Sequence, residues 1–156
     1  MFAVMAKSRH LARIAVMQTI FATEFRSAAG DSEKEKYIRA QEFFPAIWKE
    51  TAPITEDDAF GKILLKGIYE HFSDIRSTIE EFAPEWPFEK IAGLDRAILQ
   101  IGVYEIRYTQ DVPPVVAIDE AIEIAKEFGG DNAAKFINGV LSAVMGKYET
   151  KHTAAS

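Results

Sequence analysis

Apolar residues recur at spacings of three and four along most of this chain, and this period limits the possible fold more than any other feature. A spacing near 3.6 places apolar side chains on one face of an α-helix, whereas a half-buried strand alternates every second residue. Alternation of the strand type is scarce. The pattern predicts an all-α protein, a compact bundle of about seven helices, and 156 residues suffice for such a core without disulfides.

Turn-forming residues interrupt the apolar period and set the expected helix bounds. The first helix is expected to start at Ser8, a favourable N-cap residue, and the third to follow an acidic cap that begins at Thr55. The expected apolar side of the third helix consists of Phe60, Ile63, Leu64, Gly67, Ile68 and His71. The first helix is expected at residues 8–26. The other helices are expected at residues 33–49, 74–82, 88–108 (with a break near Gly93), 115–128 and 132–149.

The organisation between and beyond these helices is simple. Residues 84–87, Pro-Glu-Trp-Pro, are expected to form a rigid linker. The chain contains no internal repeat, so residues 1–156 are expected to form a single domain, with frayed ends at 1–7 and 150–156.

The charge of the chain is unevenly distributed. The formal net charge of −6 argues against indiscriminate binding of nucleic acid, which depends on an excess of Lys and Arg. The first 30 residues, however, carry Lys7, Arg9, Arg13 and Arg26 against the single acid Glu24, which leaves +3 there and −9 on the rest. A basic segment on an acidic body is compatible with a local anion site and equally with a favourable intramolecular contact.

The residue types that most enzymes require are absent or scattered. Without cysteine there is no thiolate nucleophile and no disulfide, and His10, His71 and His152 are not spaced to share a metal. No catalytic residue, metal site or cofactor is therefore predicted. The apolar N-terminal run is too short for a signal peptide and no run of 18 apolar residues exists, so a cytoplasmic protein is expected.

A basic cluster at the start of the first predicted helix is one candidate ligand site. This basic start consists of Lys7, Arg9, His10 and Arg13. The positive end of the helix dipole adds to these charges, so phosphate oxygens are plausible ligands. The alternative is an ordinary solvated helix start.

A second candidate is the turn between the last two predicted helices. The turn group comprises Phe128, Gly129, Lys135 and Phe136. Aromatic faces stack on unpaired bases and lysine meets the sugar–phosphate backbone, which is what recognition of single-stranded RNA requires. Both phenylalanines also suit core positions at helix ends, so the two interpretations stay open.

The chain resembles the NusB family of transcription antitermination factors in four separate segments. Residues 112–129, VPPVVAIDEAIEIAKEFG, and residues 135–141, KFINGVL, are similar to the family signature. Residues 94–99, LDRAIL, followed by Tyr104 and Glu105, are similar to its central helix, and Ala12-Arg13 with residues 18–21, QTIF, to its first. The matches keep the family's order and thin out only between residues 27 and 60.

The resemblance implies two helical subdomains and a non-catalytic adaptor. Proteins of this family pair with NusE, which is also a ribosomal protein of the small subunit, and the two together bind the boxA element of nascent RNA. RNA polymerase then reads through terminators, notably in ribosomal RNA operons. The implied partners are boxA-containing single-stranded RNA, NusE and, indirectly, RNA polymerase, while a homodimer stays open.

The same resemblance assigns roles to individual residues. RNA contacts are expected from the basic start, the turn group and Gln100, although many members of the family carry an arginine at the position of Gln100. NusE contacts are expected from Phe21, Phe25 and Asp95, and both phenylalanines also suit the core face of the first helix. We expect weak RNA binding by the protein alone and stronger binding with NusE.

Two other functions stay open at this point. A helical scaffold that binds only protein would carry Lys7, Arg9 and Lys135 as surface charges, and alanine at all three would leave its function unchanged. NusB-like domains also open some ribosomal RNA cytosine methyltransferases. That function needs reactive cysteines and a Gly-rich cofactor loop, and the sequence contains neither.

Overall fold

The computed structural model describes the backbone of residues 2–54 and 57–155 and the side chains of residues 4–54 and 57–149. Over these residues the secondary structure consists of seven α-helices and a single 3₁₀ turn, without strands, which confirms the all-α prediction. The elements are α1 (Phe2–Arg26), α2 (Glu33–Thr51), α3 (Ala59–Glu70), α4 (Phe72–Phe82), the 3₁₀ turn (Phe88–Lys90), α5 (Gly93–Tyr108), α6 (Pro114–Phe128) and α7 (Asp131–Ala155).

The helices group into two units, which confirms the prediction of two helical subdomains. The first unit covers Met1–Phe72 with α1 to α3, and the second covers Ser73–Ser156 with α4 to α7. That residues 1–156 act as one domain stays a prediction. In the part of the chain that the structure describes, no helix is both long enough and apolar enough to cross a membrane.

Both terminal helices are longer than expected. Residues 2–7 contain neither glycine nor proline, so α1 begins at Phe2 and runs through Ser8. The prediction that Ser8 caps this helix is therefore wrong, while fraying of residues 1–7 and 150–156 stays a prediction. At the other end α7 continues to Ala155, past the expected end at residue 149. Met1 and Ser156 lie outside the described residues, as do the side chains of residues 150–155.

The core of the first unit forms where α2 and α3 pack on α1. Helix α2 starts with Ser32 as its N-cap: the Ser32 hydroxyl accepts from the Glu35 amide at 3.1 Å and donates to the Glu35 carboxylate at 3.2 Å. Its buried face carries Ala40, Phe44 and Trp48, spaced four residues apart. This spacing turns one stripe of the helix toward the core.

Helix α3 buries Leu64, Gly67 and Ile68 as predicted, but the rest of its buried face differs from the prediction. The structure buries Gly61, Leu64, Leu65, Gly67 and Ile68 and leaves the side chain of Ile63 61% exposed. The prediction placed Ile63 on the apolar side and overlooked Gly61 and Leu65, because packing against neighbouring helices, and not the local pattern alone, determines which side is buried. The predicted cap residues Thr55 and Glu56 lie outside the described residues.

In the second unit, α5 is the central helix and is buried along most of its length. Gly102 allows close contact with α7, because a Cβ built on it would lie 2.6 Å from Leu141 Cδ1. Arg107 joins α5 to α4 by donating to the Thr78 hydroxyl at 2.8 Å, and its guanidinium lies 4.6 Å from the ring centroid of Tyr148 on α7. These contacts fix the scaffold on which the turn between α6 and α7 is built.

The break predicted near Gly93 is confirmed. Residues 88–90 form the separate 3₁₀ turn, and α5 starts at Gly93. The predicted linker, residues 84–87, is non-helical. This irregular segment forms one wall of a pocket that the sequence did not predict.

Candidate nucleic-acid interface

The basic start lies inside α1 and not at its end. Lys7 is exposed, Arg9 and His10 are partly exposed, and Arg13 is only 3% exposed. Because α1 begins at Phe2, these residues lie beyond the first turn, where the effect of the helix dipole has largely decayed. The electrostatic character of this surface therefore comes from its side chains, and the predicted help from the dipole is wrong.

An aromatic ring of α3 lies against two of the basic side chains. The guanidinium carbons of Arg9 and Arg13 lie 4.7 and 5.1 Å from the ring centroid of Phe60. Distances below about 6 Å are typical of cation–π contacts. The sequence placed Phe60 on the apolar side of α3 and gave no sign that it contacts the basic start.

The turn between α6 and α7 depends on two glycines with different tasks. Gly129 ends α6, with its amide donating to the Ala125 carbonyl at 2.7 Å. A Cβ on Gly129 would lie 2.9 Å from Ala133 Cβ, so only a glycine lets the turn come this close. Gly130 has φ +88°, a left-handed conformation that glycine adopts without strain. The prediction that this pair ends the helix is confirmed.

The aromatic and basic members of the turn group differ in exposure. Phe128 is 37% exposed and Lys135 is exposed, whereas Phe136 is half-buried. A half-buried ring can present one face to a ligand while its other side packs on the protein. Lys135, one residue before Phe136 on α7, is exposed and can meet a phosphate.

A pocket of about 390 Å³ opens beside Phe136. Its lining comes from the linker and 3₁₀ segment, from α5 and from α7: Trp86, Lys90, Ile91, Ala92, Asp95, Asn132, Ala133 and Phe136. The sequence assigned Phe136 to RNA and Asp95 to NusE, and the structure brings both to one cavity. Trp86, Lys90 and Asn132 were missed, although an isolated tryptophan between two prolines was a signal that could have singled out Trp86.

Asp95 brings a carboxylate to this mainly apolar pocket. Burial raises the pKa of its carboxyl group above the ordinary value, because the charged form loses hydration. A Cβ on Gly129 would lie 3.4 Å from Asp95 Oδ1, so the turn and the carboxylate are direct neighbours. A group in this position can accept hydrogen bonds from a ligand's amino or amide groups.

Gln100 does not reach the surface. Its side chain is 2% exposed, and its amide nitrogen donates to the backbone carbonyl of Arg96 at 3.2 Å. In this conformation neither Gln100 nor Arg13 offers appreciable surface to a ligand. A direct RNA contact from these two residues stays a prediction, and with so little exposed surface they can act on a ligand mainly through their neighbours.

Arg96 holds the wall of the pocket in place. One of its terminal nitrogens donates to the backbone carbonyls of Phe88, Glu89 and Ile91 at 3.4, 3.3 and 2.9 Å. Its guanidinium carbon also lies 5.5 Å from the ring centroid of Phe88. These contacts fix the irregular backbone from which Lys90 points into the cavity.

Two phenylalanines give α1 an exposed apolar face. Phe21 is 42% exposed and Phe25 is 80% exposed, whereas Ile14, Met17 and Ile20 of the same helix are buried. Residues four apart lie on one side of a helix, so the two rings form a continuous strip. The alternative of a core position is thus wrong for Phe25 and holds only in part for Phe21.

The fold and these surfaces define a class of protein. The chain is helical, and it presents basic and aromatic groups suited to nucleic acid and an apolar strip suited to a protein partner. Such surfaces are typical of a binding adaptor.

Comparison with known proteins places the chain within this class. The model of the NusB family matches residues 10–146. The transcription antitermination protein NusB of Chloroflexus aggregans is 35% identical over 96% of this chain and 95% of its own length, and that of Dehalococcoides mccartyi is 36% identical over 90% and 91%. The solved structure of NusB from T. maritima superposes with a TM-score of 0.72 at 29% identity, covering 90% of this chain and 92% of that one.

The chain belongs to the NusB family and is a transcription antitermination factor. Family membership confirms the prediction of a transcription factor and not an enzyme. A crystal structure of NusB and NusE in complex with double-stranded RNA matches with a TM-score of 0.74 at 24% identity, over 91% of this chain and 98% of that one. This last likeness supports the fold alone.

Proposed function

We propose that this protein binds boxA-containing single-stranded RNA together with NusE in the cytoplasm, and so promotes processive transcription, notably of ribosomal RNA operons. RNA polymerase is then an indirect partner. The observation that carries this proposal is the pocket beside the turn group, where aromatic, basic and hydrogen-bonding side chains converge. The protein acts by bringing its two ligands together, without chemistry of its own.

The pocket has the chemistry that an unpaired base requires. Trp86, which is 53% exposed, and Phe136 offer aromatic faces for stacking, and each stacked base contributes about 1–3 kcal/mol. Asp95 and Asn132 supply hydrogen-bonding groups for a base edge. Lys90 and the nearby Lys135 supply positive charge for the RNA backbone.

The basic start, in the first unit, is a second and separately proposed site of RNA contact. Lys7, Arg9 and His10 have exposed or partly exposed side chains that can contact phosphates. Arg13 and Gln100 are buried, so we assign them a supporting role. Arg13 packs on Phe60 behind Arg9, and Gln100 is tied to the backbone of α5.

The strip formed by Phe21 and Phe25 is the proposed NusE surface. An 80% exposed phenylalanine is costly to leave in water and is a typical anchor of a protein interface. Asp95 stays a proposed NusE contact, and because it also lines the pocket that we propose to bind RNA, both ligands could contact it. Contacts shared in this way would make the binding of RNA and of NusE mutually favourable.

Fluorescence anisotropy of labelled boxA RNA tests the proposal. The protein is titrated into boxA RNA and into a scrambled RNA, with and without NusE. We expect weak selective binding alone and tighter binding with NusE. Equal affinity for both RNAs under both conditions would contradict RNA recognition and favour the scaffold that binds only protein.

Three variants locate the two surfaces. Trp86→Leu is expected to weaken RNA binding about tenfold through loss of stacking, and Phe25→Ala to weaken NusE binding about tenfold through loss of an apolar anchor. Lys135→Ala is expected to lower the slope of log affinity against log salt concentration by the amount that corresponds to about one phosphate contact. The matched controls are Lys34→Ala, an exposed lysine of α2, and Ile63→Ala, an exposed apolar residue of α3, and both should retain wild-type affinity.

A further inference from the structure

One ring of the first unit lies against two cationic side chains at once. Arg9 and Arg13 are four residues apart on α1 and so lie on the same side of that helix. Phe60 of α3 reaches both, with centroid distances of 4.7 and 5.1 Å to their guanidinium carbons. The three side chains form an arginine–phenylalanine–arginine cluster within one unit of the protein.

The neighbouring glycine determines where this ring lies. A Cβ on Gly61 would lie 2.7 Å from Phe44 Cζ and 3.7 Å from Ala12 Cβ, so α3 comes unusually close to α2 and α1 at this position. Ala12 lies between the two arginines in sequence. Close packing at Gly61 therefore sets the position of Phe60 relative to Arg9 and Arg13.

Stacking on a ring and hydrogen bonding engage different parts of an arginine side chain. The contact engages the flat face of a guanidinium, whereas its N–H donors lie in the plane and point outward. Arg13 is 3% exposed and forms the inner side of the cluster, and Arg9 is partly exposed and forms the outer side. The ring can thus hold Arg9 in one orientation, and this contact itself uses none of the five N–H donors of the guanidinium.

We propose that Phe60 is a positioning residue of the RNA surface, which holds Arg9 in the orientation that contacts a phosphate. Because the arginine is already ordered in the free protein, RNA binding loses less side-chain entropy. Phe60 itself touches no RNA. This inference rests on the proposed function, since it assigns a role within the same RNA surface.

The first experiment compares variants of Phe60 by RNA titration with NusE present at several salt concentrations. Phe60→Leu should weaken RNA binding three- to tenfold and lower the salt slope to that of Arg9→Ala, while Phe60→Tyr should restore both. The double variant Phe60→Leu/Arg9→Ala should bind no more weakly than Arg9→Ala alone. The matched control is Phe43→Leu, a half-buried phenylalanine of α2, which should stay within twofold of wild type.

A second measurement needs no RNA. The ring current of Phe60 should shift the side-chain proton resonances of Arg9 upfield in the free protein, and Phe60→Leu should remove this shift while Phe60→Tyr keeps it. If the leucine variant does not fold, Phe60→Met replaces it in both experiments. Unshifted Arg9 resonances in the wild type would overturn the inference.

The outcomes separate this inference from the proposed function. If wild type binds boxA RNA and Arg9→Ala weakens binding, but Phe60→Leu binds as wild type does, the positioning role is wrong and the proposed function stands. If wild type shows no preference for boxA RNA even with NusE, the proposed function fails, and the role of Phe60 fails with it.

Discussion

Each unit of the molecule contains a phenylalanine flanked by two arginines, and the two clusters serve different ends. In the second unit, Arg76 and Arg96 lie 5.0 and 5.5 Å from the ring centroid of Phe88. Arg96 donates to three backbone carbonyls, and Arg76 pairs with Glu80 at 2.7 Å and also with Glu89. This cluster stabilises the irregular backbone beside the pocket.

The cluster of the first unit lies in a different part of the sequence and has a different exposure. Arg9 and Arg13 belong to a stretch of 23 residues that contains no acid, and Arg9 is partly exposed. An arginine–aromatic contact therefore does not by itself identify a binding surface. Its role depends on the further contacts of the arginines: Arg76 and Arg96 bind carboxylates and carbonyls of their own unit, and by our proposal Arg9 also binds RNA phosphate.

The largest expected difference between the two clusters is in the free energy of unfolding, and it concerns the second unit. Arg96→Ala should lower the free energy of unfolding by about 2–3 kcal/mol, because three carbonyls lose a charged donor. Arg9→Ala should lower it by less, about 0.5–1 kcal/mol, because it removes a cation–π contact with Phe60. Urea denaturation measures both. Similar losses for the two variants would remove the distinction between a structural and a binding cluster.

A second test compares the two close-packed glycines. Gly61→Ala and Gly102→Ala should each cost about 1–2 kcal/mol in unfolding free energy, because each new Cβ would overlap a buried side chain. Only Gly61→Ala should also weaken RNA binding, since it moves Phe60 away from the arginines. Thermal unfolding and RNA titration of both variants provide the measurement. Equal RNA affinity for the two variants would contradict this expectation.

The salt dependence of RNA binding distinguishes the arginines directly. Arg9→Ala should lower the slope of log affinity against log salt by about 0.7, the value for one phosphate contact on a single strand, and should cost about 1 kcal/mol in binding. Arg76→Ala removes the same formal charge but should leave the slope unchanged. A reduced slope in both variants would mean that the charge acts over a distance and that position matters little.

The smallest expected effect concerns Asp95. The pocket contains this acidic group, whereas the basic start contains no acid. Burial raises the pKa of Asp95 in the folded protein. Between its unfolded and its folded pKa, the folded state therefore binds more protons than the unfolded state. Stability falls as pH rises through that window. Asp95→Asn should therefore raise the melting temperature at pH 7, by less than about 2 °C, and should flatten this pH dependence. Calorimetry between pH 3 and pH 7 checks the sign, and a lower melting temperature for the variant at pH 7 would show that the carboxylate is stabilising.

Much of the fold could be predicted from the sequence because helix patterns are local. Seven helices, the break near Gly93 and the glycine stop after Phe128 all follow from neighbouring residues. The errors lie where local signals are weak. Ser8 looked like a cap but lies within α1, and Ile63 fitted an apolar stripe but is exposed.

The candidate site was predictable only in part. The turn group and the basic start were found because their residue types suit RNA, and the family resemblance pointed to Phe25 and Asp95. The sequence could not indicate that Asp95 and Phe136, 41 positions apart, line one pocket with Trp86. Nor could it reveal that Gln100 is buried, because a glutamine on a helix is compatible with either environment.

The helical class, the order of the helices and the family follow from the sequence, because these depend on periodicity, turn residues and motifs that neighbours along the chain supply. Which side chains remain available to a ligand depends on the packing of the helices. Exposure depends on residues brought from distant segments, as when Gly61 lets α3 carry Phe60 to Arg9 and Arg13. A linear pattern records which residue types are present, and packing determines which of their faces meet a partner.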